Sequence, residues 1–144
     1  MSKRILLPVD ESDRAADALE FALEEFPDAT LVALHVLDPA DLYGATGFEG
    51  GAMVNYQDLH ERSQERGETL LEDVAETAAD HGVDCETELV IGSVARSIVD
   101  FLEDGDIDQI VIGSHGRTGA SRILLGSVAE TVARRSPVPV TIVR

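Results

Sequence analysis

Lysine is almost missing from this 144-residue chain. Lys3 is the only one, and the other ten basic residues are arginines set against 28 acidic ones, for a formal charge of −17. A field of that sign repels a phosphate backbone, which argues against nucleic acid as a partner. In dilute salt it would also make the compact state repel itself. Such a surface suits molar intracellular salt, where the Debye length falls to about 3 Å. It is read as the surface of a protein from a salt-accumulating microbe, the alternative being a merely acidic mesophile protein. Cysteine is scarce as well: Cys85 is alone, so neither an internal disulfide nor an all-cysteine zinc site can form, and a reduced, cytoplasmic setting is expected. Long apolar runs are also missing. Ile5 to Val9 is too short for a signal peptide or a membrane span.

Several motifs are absent. There is no G-x-x-x-x-G-K-[ST] phosphate loop, no G-x-G-x-x-G after the first strand and no G-x-S-x-G nucleophile elbow. A phospho-receiver domain is disfavoured too, because the third strand ends in Ile91-Gly92-Ser93 rather than a carboxylate and no lysine lies near the last strand.

What remains is enough for one folded domain, residues 1–144, with 44% apolar and 27% charged residues. Ile5 to Val9 and Leu31 to Leu37 read as strands buried on both faces. Asp10 and Ser12 offer caps to a helix carrying Ala15, Leu19, Ala22, Leu23 and Phe26, which Pro27 stops. Residues 38–55 lack periodicity and read as a loop. Leu59, Ser63, Arg66, Leu70, Val74 and Ala78 mark one side of a long helix ended by Gly82. A third strand, Glu86 to Ile91, is followed by a helix from Ser93 to Gly105, a fourth strand at Ile107 and Ile110–Ile112, a helix after Gly126, and a last strand, Val138 to Val143. The order β-α-β-α-β-α-β-α-β predicts an α/β fold: a five-stranded, parallel, doubly wound sheet ordered 3-2-1-4-5. Ligands of such sheets sit beyond the C-terminal strand ends where the order reverses, here between strands 1 and 4.

The fourth strand runs into Gly113-Ser114-His115-Gly116-Arg117-Thr118-Gly119-Ala120-Ser121-Arg122 at that point. Glycines there admit close approach of an anion to the backbone, successive amides form an anion nest, and the helix opening at Gly126-Ser127 adds its free N–H groups. Arg117 and Arg122 bring scarce positive charge. The Ser127 hydroxyl donates to a phosphate oxygen or caps the helix, and His115 is either a phosphate contact or a solvated loop residue. Asp10, across the switch point, accepts from ribose hydroxyls, holds a phosphate-bound metal or caps the first helix. His35 and Val36 end the second strand, where backbone groups can meet a base edge; the His35 side chain itself reads as structural. His60 and His81 form no metal spacing.

Gly113-x2-Gly116-x9-Gly126-Ser127 resembles the G-x2-G-x9-G-[ST] signature of the ATP-binding branch of the universal stress protein family. The stretch Ile110 to Gly119, the ending Pro137-Val138-Pro139-Val140, and the N-terminal Ile5-Leu6-Leu7-Pro8-Val9-Asp10-x-Ser12 with His35-Val36 are similar to that family's pattern over the whole chain. The resemblance implies a Rossmann-like fold of the adenine nucleotide alpha hydrolase type that binds ATP, with Mg or Mn, and works as a regulatory stress-response dimer. Pro8, Val9, Asp10 and Val36 would surround adenine and ribose, Gly113 would lie near the ribose, and Gly116, Gly126, Ser127 and Val128 would hold the phosphates. Ser114, His115 and Arg117 complete the candidate cradle. Two other readings stay open. One is a slow ATP hydrolase or phosphotransferase using His115 or Asp10; the other is a nucleotide-free dimerisation module. Pro139 at the start of the last strand marks a sheet edge, and an apolar edge of Val140 to Val143 is either paired with a second copy or protected in a monomer by the adjacent helix and Arg144.

Overall fold

The computed structural model describes residues 2–40, 56–115 and 125–144. Strand β1 (Arg4–Pro8) leads through helix α1 (Asp13–Glu25), β2 (Thr30–Leu37), α2 (Tyr56–Asp80), β3 (Asp84–Ile91), α3 (Val94–Asp104), β4 (Gln109–Gly113) and α4 (Ser127–Arg135) to β5 (Val140–Val143). The strands pair in parallel in the order β3-β2-β1-β4-β5, the order expected from the alternation.

The period-two geometry of strands sorts the apolar runs into two layers. Ile5, Leu7, Leu31, Ala33 and Val111 pack with Ala18, Ala22 and Leu23 of α1 and Leu71, Val74 and Ala78 of α2. Leu6, Val32, Leu34, Ile110 and Ile112 pack with Ile98 and Leu102 of α3 and Val132 of α4. Ile5, Leu6 and Leu7 are all fully buried, which is why β1 carries no polar residue between its ends. Each such side chain contributes on the order of 1.5–3 kcal/mol relative to exposure.

The edges differ from the centre. β3 is half-covered: Cys85 and Leu89 reach the first layer, whereas Glu86 and Glu88 are exposed and Ile91 is 56% exposed. Of the alternating residues expected there, Cys85 and Leu89 turn inward, whereas Thr87 and Ile91 are exposed. Arg4 hydrogen-bonds Glu86 across this face, which raises its pKa. Burial pushes the Cys85 thiol up as well.

Four readings shift. The buried stripe of α2 includes Gly67 and Leu71, and Arg66 is exposed, because the stripe drifts by a residue around the helix. His81 lies just past α2, where its Nδ1 meets the Thr77 carbonyl at 2.8 Å. Ile107 is buried ahead of β4 rather than in it. β5 begins at Val140, because the Ser136 hydroxyl bonds to Val138 N–H and carbonyl in a turn and Pro139 offers only its carbonyl, to Ile110 N–H at 3.0 Å. Most of the 38–55 loop reading lies outside the described residues.

Candidate functional site

Backbone direction alternates along β1. Lys3 carbonyl and Val9 N–H bond toward β2, while Arg4 carbonyl bonds toward β4. Even-numbered residues therefore face β4, and the third of them is Pro8, which has no N–H to donate. The β1–β4 pairing accordingly runs only over Ile5↔Gln109 and Leu6↔Ile110, whereas β1–β2 continues to Pro8↔Leu34 and β4–β5 to Gly113↔Val143. Beyond that point β1 and β4 part, at the switch point of the sheet, where ligands of such folds bind.

Two helix starts flank the gap, and they are built differently. Ser12 caps α1: its Oγ accepts from Ala15 N–H at 3.1 Å. Asp10 Oδ1 accepts from Ser12 N–H at 2.8 Å, so Asp10 shapes the turn and the cap falls to Ser12. α1 also lies close over β4. A Cβ at Gly113 would stand 2.9 Å from the backbone of Arg14, so glycine is required there by close packing. α4 has Gly126 as its N-cap and no side-chain cap bond. Ser127 is the first helical residue, so its hydroxyl is not the cap. The amides of the first turn of α4 thus have no side-chain acceptor from the cap residue.

Ser114 and Gly126 close the neck of the glycine loop through Gly126 N–H on Ser114 carbonyl at 2.7 Å, and Ser114 N–H donates to Val143 carbonyl at 2.7 Å. Ser114 is 2% exposed, and its Oγ lies 3.0 Å from His115 Nδ1. Its polar groups all face inward, as the latch of the loop. His115 Nε2 is buried and has no partner among the described residues. Gly116, Arg117, Gly119 and Arg122 lie outside the described residues.

On the β1 side, Val9 is 6% exposed and packs in the first layer. Its amide donates to Leu34 carbonyl and its carbonyl accepts from His35 Nδ1, both at 2.8 Å. The second bond joins residues 26 apart and was invisible in the sequence, although His35 stood out as a strand-end histidine. Val36 is half-buried and faces the second layer. Two surface hollows, of about 340 and 490 Å³, lie against α3 and beside α2, away from the latch.

The chain belongs to the universal stress protein family, whose model matches residues 1–144. It is 37% identical over 145 residues to universal stress protein MJ0531 of Methanocaldococcus jannaschii, covering 99% of this chain and 82% of that protein. It is similar in structure to protein MJ0577 of the same organism, with a TM-score of 0.81 and 32% identity, covering 99% of this chain and 96% of that one. It is also similar to the universal stress protein from Archaeoglobus fulgidus solved in complex with dAMP, with a TM-score of 0.64 and 26% identity over 100% and 98% of the two chains. Among the described residues, no helix is long and apolar enough to cross a membrane.

Proposed function

We propose that this protein binds ATP in the gap between β1 and β4 and acts as a stress-response regulator. The observation that carries the reading is the start of α4: a glycine cap with no side-chain cap bond, and a buried His115 Nε2, without a partner among the described residues, in the loop latched to that cap. Orphan N–H groups and the positive helix end suit a phosphate. The Archaeoglobus relative's complex with dAMP supports an adenine nucleotide as the ligand. In this reading Gly126, Ser127 and Val128, with His115, Gly116 and Arg117, hold phosphates. Pro8, Asp10, Val36 and Gly113 line the base and sugar end, with Val9 backing it from the core and Ser114 acting through the loop it latches.

Among the described residues no group of three or more ligating side chains could hold a metal. The ion proposed with the nucleotide is one such as Mg²⁺, which is commonly held by one or two carboxylates and substrate phosphates. Asp10 is the carboxylate at the gap, and the ion would neutralise charge on the phosphates. No nucleophile is assigned; a slow hydrolase would have to use His115 or Asp10. β5 is an edge strand with Val140 and Ile142 half-buried, and pairing it with a second copy about a two-fold axis completes the assembly.

Native mass spectrometry of the purified protein tests the reading. Co-purifying ATP or AMP is expected, at two chains per assembly. A nucleotide-free protein that also fails to bind added ATP in about 2 M KCl with Mg²⁺ contradicts it.

A further inference from the structure

The bond from His35 to Val9 has a consequence for base recognition. In a parallel ladder the rung after Val9 N–H on Leu34 carbonyl would run from Val36 N–H back to Val9 carbonyl. That rung is not made. The carbonyl accepts instead from the His35 imidazole, whose Nδ1 must carry the proton because a carbonyl only accepts. Two backbone directions follow. Val36 N–H, in the row of β2 groups that faces β1, is left beyond the end of the ladder. The peptide after Val9 is trans, so with its carbonyl turned to β2 its Asp10 N–H turns to the β4 side, over the gap.

The ring has room for this because of α2. A Cβ at Gly67 would lie 2.7 Å from His35 Cδ2 and 2.8 Å from Leu89 Cδ1, closer than side chains pack. A glycine inside a helix forfeits about 1 kcal/mol against alanine, so its place here is explained by the imidazole beneath it.

We propose that His35 is a positioning residue for the base of the bound nucleotide. It takes the Val9 carbonyl and so keeps the Val36 amide available to a purine edge, with Gly67 as the notch that admits the ring. The inference rests on the nucleotide reading above and adds a division of labour: His35 serves the base end and leaves the phosphate end alone.

The test compares ATP with inorganic tripolyphosphate, by calorimetry in about 2 M KCl with Mg²⁺, on three proteins. His35→Phe keeps a ring under Gly67 and removes the donor; ATP affinity should fall about tenfold while tripolyphosphate affinity stays within about twofold. His35→Asn restores a donor at the δ position and should recover ATP affinity to within about threefold of wild type. Equal loss of both ligands in His35→Phe, or unchanged ATP affinity in it, overturns the proposal. So does a His35→Asn protein no better than His35→Phe. Should His35→Phe fail to fold, histidine ¹⁵N spectra of the wild type decide: neutral His35 protonated on Nδ1 supports the proposal, and the Nε2 tautomer overturns it. A wild type that binds neither ligand overturns the nucleotide reading, and the role of His35 with it.

Discussion

The starts of α1 and α4 stand on either side of the same gap, yet one carries a side-chain cap bond and the other does not. Ser12 fills its own helix end with a hydroxyl, and Asp10 ties down the residue before it. Gly126 offers its helix nothing but a carbonyl. The lesson is that a helix end can serve stability or binding, and that the choice is made by one residue. The start of α3 is a useful third case: Ser93 is the cap residue, but its side chain makes no cap bond.

The most severe way to break the contrast is to give α4 the cap it lacks. Gly126 has φ −64 and ψ 157, which any residue adopts, so Gly126→Asp is compatible with the backbone. The carboxylate would cap the helix, stabilising the ligand-free protein by about a few tenths of a kcal/mol. It would also repel the phosphates, weakening ATP about 100-fold in a calorimetric titration. Next in size is removal of the divalent ion. With chelator present, Asp10 and the phosphates repel, and ATP affinity should fall about tenfold; Asp10→Asn should lose less than wild type on chelation, since its amide oxygen still accepts from Ser12 N–H.

Stripping the cap from α1 is the converse experiment. Ser12→Ala should lower stability by about 1 kcal/mol, seen as a melting temperature about 2–4 °C lower, with ATP affinity changed less than about threefold. The smallest effect belongs to α3: Ser93→Ala should stay within about 0.5 kcal/mol of wild type by chemical denaturation, since no cap bond is lost.

Much of this architecture is legible in the residues. Ile5–Leu7 and Leu31–Leu34 are continuous apolar runs because both sheet faces are covered, so β1 and β2 declare themselves as central strands. Gly113 and Gly126 stand out because their spacing brackets the segment after β4, and the reversal of strand order puts the end of β4 beside the end of β1. Less was legible at β3, where one face carries Glu86 and Glu88, and on α2, where Gly67 rather than Arg66 faces inward. A glycine carries no hydropathy signal, and its reason for being there is the His35 ring. The His35–Val9 bond, and the loss of a rung at Pro8, depend on register between strands, which local patterns do not contain. The latch at Ser114 is of the same kind: its partners are Val143 and Gly126, 29 and 12 residues away.

The central claim is that the first-turn amides of α4 receive a phosphate, while at the start of α1 the Ala15 amide is already bonded to Ser12. The direct measurement is an amide NMR titration with ATP and Mg²⁺ in about 2 M KCl, repeated at lower salt. The predicted result is large shifts at Ser127 and Val128, little movement at Ala15, and affinity that rises with salt as the charge of −17 is screened. Silent Ser127 and Val128 amides at saturating ATP, or affinity that falls steadily as salt is added, would contradict it.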